Sequence, residues 1–147
     1  MNVMEVAVSA CLGFLSALLV EYLINRHEEK GLYKSIIEGI KTELDTIKER
    51  LLTLELDVFY INPLDMSYWE SIIHSDSMNS ILKHPLYKEI VNIYQCINNV
   101  NQWENIRSNA FFLTERQNAY LNNAIECQRK ELYKEVEQLL HKLRAVK

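Results

Sequence analysis

Residues Val6–Val20 (VAVSACLGFLSALLV) form an uncharged run of 15 residues, and no other stretch limits the possible folds of this chain as much. Continued through Glu21 to Ile24, it reaches 19 residues with a single acid. At a helical rise of about 1.5 Å per residue this spans about 28 Å, close to the hydrocarbon thickness of a bilayer. A run of this length also suits a helix buried in a protein core. A cleaved leader fits poorly, because no Lys or Arg precedes the run and no small-x-small site ends it. We therefore read residues 1–25 as a transmembrane anchor.

Eighteen of the first 24 residues are apolar, against 53 of the remaining 123, an ordinary content for a water-facing domain. The whole chain has only three Gly and two Pro, too few for the turns of a many-stranded β protein. The expected fold class is all-α. One N-terminal transmembrane helix is followed by a cytoplasmic helical bundle of about four to five helices over residues 26–147. Net charge is −4, and beyond the anchor 16 basic residues face 18 acidic ones. That balance argues against a binder of long DNA or RNA. Only Glu5 precedes the apolar run, whereas Arg26, Lys30 and Lys34 follow it, which puts the N-terminus outside and the bundle in the cytoplasm. The expectation is a single-pass inner-membrane protein. Cys11, Cys96 and Cys127 are odd in number and lack CxxC spacing, so they suggest neither a disulfide framework nor a zinc site.

One face of the anchor reads Glu5, Ser9, Gly13, Ala17 and Glu21 at intervals of four. Ser9, Gly13 and Ala17 make a tandem small-xxx-small pattern, which lets helices approach closely in lipid. Carboxylates at both ends of that face are costly against lipid, so they are expected to face other helices or water. This predicts a homo-oligomer. The plainer alternative is that the two glutamates simply reach the two headgroup layers.

Beyond the anchor, Ile37, Ile40, Leu44, Ile47, Leu51 and Leu54 step at heptad spacing and predict a helix over residues 32–56. The stripe suits either a core-facing amphipathic helix or a stalk that zips protomers together. Gly31 and Gly39 weaken this helix, and Gly31 is a candidate hinge. Asn62-Pro63 breaks the pattern. Asp65 or Ser67 is expected to cap a short helix carrying Tyr68, Trp69, Ile72 and Ile73. Ser75-Asp76-Ser77 starts another with Met78, Ile81 and Leu82, which His84-Pro85 ends. Leu86, Ile90, Ile93, Tyr94, Ile97, Val100, Trp103 and Ile106 mark a longer helix over 86–109, with both Trp69 and Trp103 expected in the core. Its later part is rich in Asn, so a bend or early end is expected there. Thr114 caps a last helix with Leu121, Ile125, Leu132, Val136, Leu139 and Leu143 inside.

No catalytic motif, glycine-rich phosphate loop or metal-ligand spacing occurs. A non-enzyme without cofactor or metal is expected. The region His84, Lys88, Trp103, Asn105, Arg107, Asn109 and Arg116 combines cations, amides and an indole, groups that bond phosphates and base edges or stack on bases. These seven are the candidate ligand-binding residues. The alternative is a polar helix surface with Trp103 packed in the core.

The apolar span Val6–Ile24, the Ser9/Gly13/Ala17 stripe and a helical remainder of about 120 residues together resemble small single-span membrane effectors of prokaryotic antiviral defence, some of which accompany type III CRISPR systems. The resemblance covers the whole chain as architecture and matches no family motif. The glycine-bearing, Rossmann-like nucleotide domain common among such sensors is absent. The resemblance implies that a cyclic oligonucleotide binds the cytosolic domain, rearranges an oligomer and disrupts the membrane. A different class is equally compatible with the layout: a membrane-tethered scaffold or phage accessory protein whose bundle binds a protein. An exposed apolar groove without a basic cluster favours that second class.

Overall fold

The computed structural model describes residues 3–53, 63–109 and 113–146, with side chains from residue 15 onward. All regular structure among them is helical: α1 (Val3–Thr53), α2 (Ser67–Ile73), α3 (Met78–Ile81), α4 (Tyr87–Asn109) and α5 (Glu115–Ala145). The all-α expectation holds.

The expected anchor and the expected 32–56 helix are one element. α1 runs unbroken for 51 residues, about 75 Å, so the boundary drawn at residue 25 falls inside a helix and Gly31 interrupts nothing. Leu54 and Leu56 lie outside the described residues. Ile36, Ile37, Ile40, Leu44, Ile47 and Leu51 are all buried within the chain. The heptad stripe is thus a core face, not a seam left free for a second protomer.

Cross-helix pairs fix the directions. Asp45 with Arg144 and Lys48 with Glu137 set α1 against α5 in opposite senses, and Glu89 with Lys142 does the same for α4 and α5. α1 and α4 therefore run parallel. Three contacts keep one register between them: Tyr33 stacks on His84, Tyr94 bonds Glu43, and Arg50 and Asn101 both grip the Pro63-Leu64 segment. Between these levels the chain returns from residue 63 to residue 84 along α1, carrying α2 and α3.

Local chemistry explains the boundaries. At α5, the Thr114 hydroxyl accepts from the Gln117 N–H while the Gln117 side chain accepts from the Thr114 N–H, a complete capping box. The inner face of α5 is the expected one, with Leu140 added. α2 departs from expectation, since neither Asp65 nor Ser67 caps it; Asp65 only accepts from the Ser67 N–H. Glu43, from α1, accepts instead from the N–H groups of Tyr68 and Trp69. α3 lacks a side-chain cap as well. α4 continues through its amides to Asn109, contrary to the expected bend or early end. Asn101 helps to explain this, because its amide accepts from the Leu64 N–H at 2.7 Å and donates to the Leu64 carbonyl at 2.9 Å. Its polarity is satisfied by a neighbouring segment and does not compete with its own helix.

Gly39 marks where α2 lies closest to α1. A Cβ there would overlap the Tyr68 ring, whose hydroxyl donates to the Ser35 carbonyl at 3.3 Å. Gly31 has open space around it. Gly31→Ala is expected to stabilise the protein by about 0.5–1 kcal/mol through helix propensity. Gly39→Ala is expected to destabilise it by about 1 kcal/mol, because overpacking outweighs the same propensity gain. In a Tyr68→Ala background the sign of Gly39→Ala should reverse. Denaturant unfolding of the four proteins checks it, and an unchanged sign would refute the close-approach account.

Candidate functional site

The seven candidate ligand residues do not converge. His84 and Lys88 lie at the start of α4, while Trp103, Asn105, Arg107 and Asn109 lie in its last two turns, separated by most of a helix about 34 Å long. Arg116 is on the first turn of α5. Lys88, Asn105, Asn109 and Arg116 are exposed. Trp103 is 39% exposed and Ile106 51%, so the core stripe of α4 does not continue through them, and Trp103 is no core anchor. Trp69 is one: it is buried and stacks on Tyr94 with ring centroids 4.5 Å apart. Of the anchor's packing face, Ala17 and Glu21 are exposed, and the side chains of Glu5, Ser9 and Gly13 lie outside the described residues.

His84 is a structural group. It is buried, its ring lies 5.6 Å from that of Tyr33, and its Nδ1 accepts from the Leu86 N–H at 2.9 Å, which leaves the proton on Nε2. Burial, with the Lys41 charge second, holds its pKa below the ordinary imidazole value of 6.5.

Glu104 occupies the α4 stripe position assigned to Trp103. It is buried, and its two oxygens lie 2.7 Å from guanidinium nitrogens of Arg107, one turn on, and Arg129 of α5. Arg129 fills the gap in the inner face of α5 between Ile125 and Leu132. Its side chain is only 11% exposed, and burial, reinforced by the second cation, lowers its pKa against the pull of Glu104. Sequence reasoning missed both residues. The available signal was spacing: Glu104 follows Ile97 by seven and Val100 by four, and Arg129 follows Ile125 by four. Arg107 is thus engaged by Glu104 through one guanidinium nitrogen, with its side chain 22% exposed.

A third centre is Glu43, half-buried on α1. Its carboxylate accepts from the Tyr94 hydroxyl at 2.6 Å and from the two N–H groups at the start of α2 at 2.7 and 3.2 Å. Burial raises its pKa, and these three bonds oppose the rise. It borders a groove of about 320 Å³ between α1 and α2, with Gly39, Thr46, Arg50, Asp65 and Tyr68 around it. Among the described residues no group of His, Cys, Asp and Glu is set to hold a metal ion.

The remaining feature is the free half of α1. From Leu15 to Leu32 every residue is exposed, including Leu15, Leu18, Leu19, Val20, Tyr22, Leu23 and Ile24. At about 100° per residue these seven lie around most of the helix, not along one stripe. Among the described residues no helix is long and apolar enough to cross a membrane. The side chains so described begin at Leu15, whereas the uncharged run begins at Val6. The chain matches no protein-family model, no curated protein and no solved structure.

Two outcomes are expected from the buried polar groups. Above pH 6.5 His84 is neutral in both the folded and the unfolded chain; as pH falls below 6.5 the unfolded chain binds the proton first, so stability declines until the lower folded pKa is passed. His84→Asn, which keeps an acceptor near the Nδ1 position, should lose less thermal stability between neutral and mildly acidic pH than the parent; equal losses would refute the assignment. Glu104→Leu should cost about 3–5 kcal/mol by stranding buried charge. Adding Arg129→Leu should recover most of that cost, and a double variant as unstable as the single one would count against the pairing.

Proposed function

We propose that this chain is a non-catalytic, oligomeric single-pass membrane effector. The free half of α1 lies in the bilayer, the N-terminus is outside, and the bundle is in the cytoplasm. The observation that carries this reading is the projecting half of α1, which bears large apolar side chains around its circumference and has no protein packed on it from Leu15 to Leu32. Moving seven such half-exposed side chains from water into lipid is worth on the order of 5–10 kcal/mol. The basic residues Arg26, Lys30 and Lys34 follow Ile24, the last of these seven apolar side chains, on the same helix, as the proposed orientation requires.

α1 supplies the coupling. The helix that would cross the membrane is the helix whose Ile40, Leu44 and Ile47 form the bundle core, so tilting or rotating the bundle moves the membrane segment with it. In the effector reading, a cyclic oligonucleotide binding the cytoplasmic part rearranges the oligomer and perturbs the membrane. The second reading, a tethered scaffold that binds a protein, is favoured by one specific observation: Trp103 and Ile106 are exposed near the distal end of the bundle, where Tyr120 is 78% exposed, while Arg107 is held by Glu104.

The full-length chain should resist carbonate extraction from membranes, and Leu19→Arg with Leu23→Arg should release it. Crosslinked oligomers and growth arrest on expression should both fall with Gly13→Leu and Glu21→Gln. Cyclic tetra-adenylate or hexa-adenylate should raise the melting temperature of the detergent-solubilised chain. Absence of any shift, with membrane association retained, would leave the scaffold reading in place of the sensor.

A further inference from the structure

The three cations at the neck of α1 share one side, which the exposed Glu29, three residues after Arg26, borders. Leu15, Leu19 and Leu23 ascend one side in steps of four, and after a step of three the same side continues as Arg26, Lys30 and Lys34. The opposite side carries Ala17, Glu21 and Glu28. All three cations are exposed, and none is ion-paired with a described residue. Glu38, the acid that feels the Lys34 charge, is held by Lys41 at 2.8 Å. Two other cations at this end of the bundle are matched, Lys142 with Glu89 and Arg144 with Asp45.

Like charges four residues apart on a helix repel, and Arg26/Lys30 and Lys30/Lys34 are two such pairs in succession. Side chains on a helix lean toward its N-terminus, here the side of the apolar run, so Lys30 and Lys34 lean back toward the level of Arg26. We propose that the face formed by Arg26, Lys30 and Lys34 binds the phosphate headgroups of anionic phospholipids. The proposal rests on the membrane placement of α1. It also orients the oligomer: the Ala17/Glu21 side turns toward other protomers and the basic side toward lipid. The anionic headgroups supply counter-charge to three cations that no ion pair among the described residues holds.

The full chain is reconstituted into vesicles of phosphatidylcholine alone or of phosphatidylcholine mixed with phosphatidylglycerol, then assayed by flotation and thermal unfolding. It is expected to float with both and to melt about 5 °C higher in the anionic vesicles, a difference that raised salt diminishes. Arg26→Gln/Lys30→Gln/Lys34→Gln should float equally but lose the difference, whereas Lys134→Gln, an exposed cation on α5, should keep it. Equal melting of the parent in both vesicles, or a full difference in the triple variant, overturns the headgroup site. Failure to float with either composition overturns the membrane placement itself.

Discussion

The bundle depends on one carboxylate. Glu43 sits where α1, α2 and α4 meet, and it accepts hydrogen bonds from the Tyr94 hydroxyl and from two backbone N–H groups near the start of α2. α2 is seven residues long and has no side-chain cap at its N-cap position; Asp65 accepts from the Ser67 N–H, and the N–H groups of Tyr68 and Trp69 would be orphans without an acceptor from elsewhere. The same acceptor fixes Tyr94, whose ring stacks on Trp69 from α2, and burial with the adjacent carboxylate pushes the Tyr94 phenol far above its ordinary pKa. A parallel pair of helices joined by a long return needs something to set its register. Glu43–Tyr94 does this midway, with Tyr33–His84 above and the Arg50/Asn101 grip on Pro63-Leu64 below.

Under the proposed membrane placement, the register is what would let α1 transmit movement. Its second half is clamped at three levels, and from Leu15 to Leu32 it is a bare helix outside the bundle. No glycine break, turn or loop intervenes, since the helix passes Gly31 unchanged. A stiff rod fixed at one end and immersed in a second medium at the other carries displacement between them. A flexible linker at the same place would allow the bundle to move while the membrane segment stayed still. Within the proposed membrane placement this stiffness suits an effector more than a simple tether, and the exposed indole of Trp103 suits the alternative proposal of a protein-binding role at the far end of the bundle.

Much of this was legible in the sequence, where periodicity and local capping decide structure. The stripes Ile37–Leu51 and Leu121–Leu143 are buried as their spacing predicts, and the Thr114/Gln117 box is local chemistry. The failures occur where a distant residue overrides the local signal. Asp65 and Ser67 are good caps by type, yet a glutamate more than twenty positions earlier takes the role. Trp103 looks more apolar than Glu104, yet Arg129 from another helix makes Glu104 the buried residue. The Asn-rich end of α4 reads as a helix breaker until Leu64 is there to satisfy Asn101. The seven ligand candidates were grouped by closeness in sequence, and on one long helix that closeness becomes separation.

Gly39 shows the same principle in reverse. By composition it weakens a helix, and the sequence gives no reason for a weak point opposite the residues that carry the core. The reason is Tyr68, whose ring occupies the volume a side chain would take and whose hydroxyl reaches the Ser35 carbonyl. The residue that lowers the intrinsic helicity of α1 lets α2 approach closely enough for Glu43 to reach its N–H groups. Local helix stability is given up at a single position, and the tertiary contact obtained there holds the register of the whole bundle.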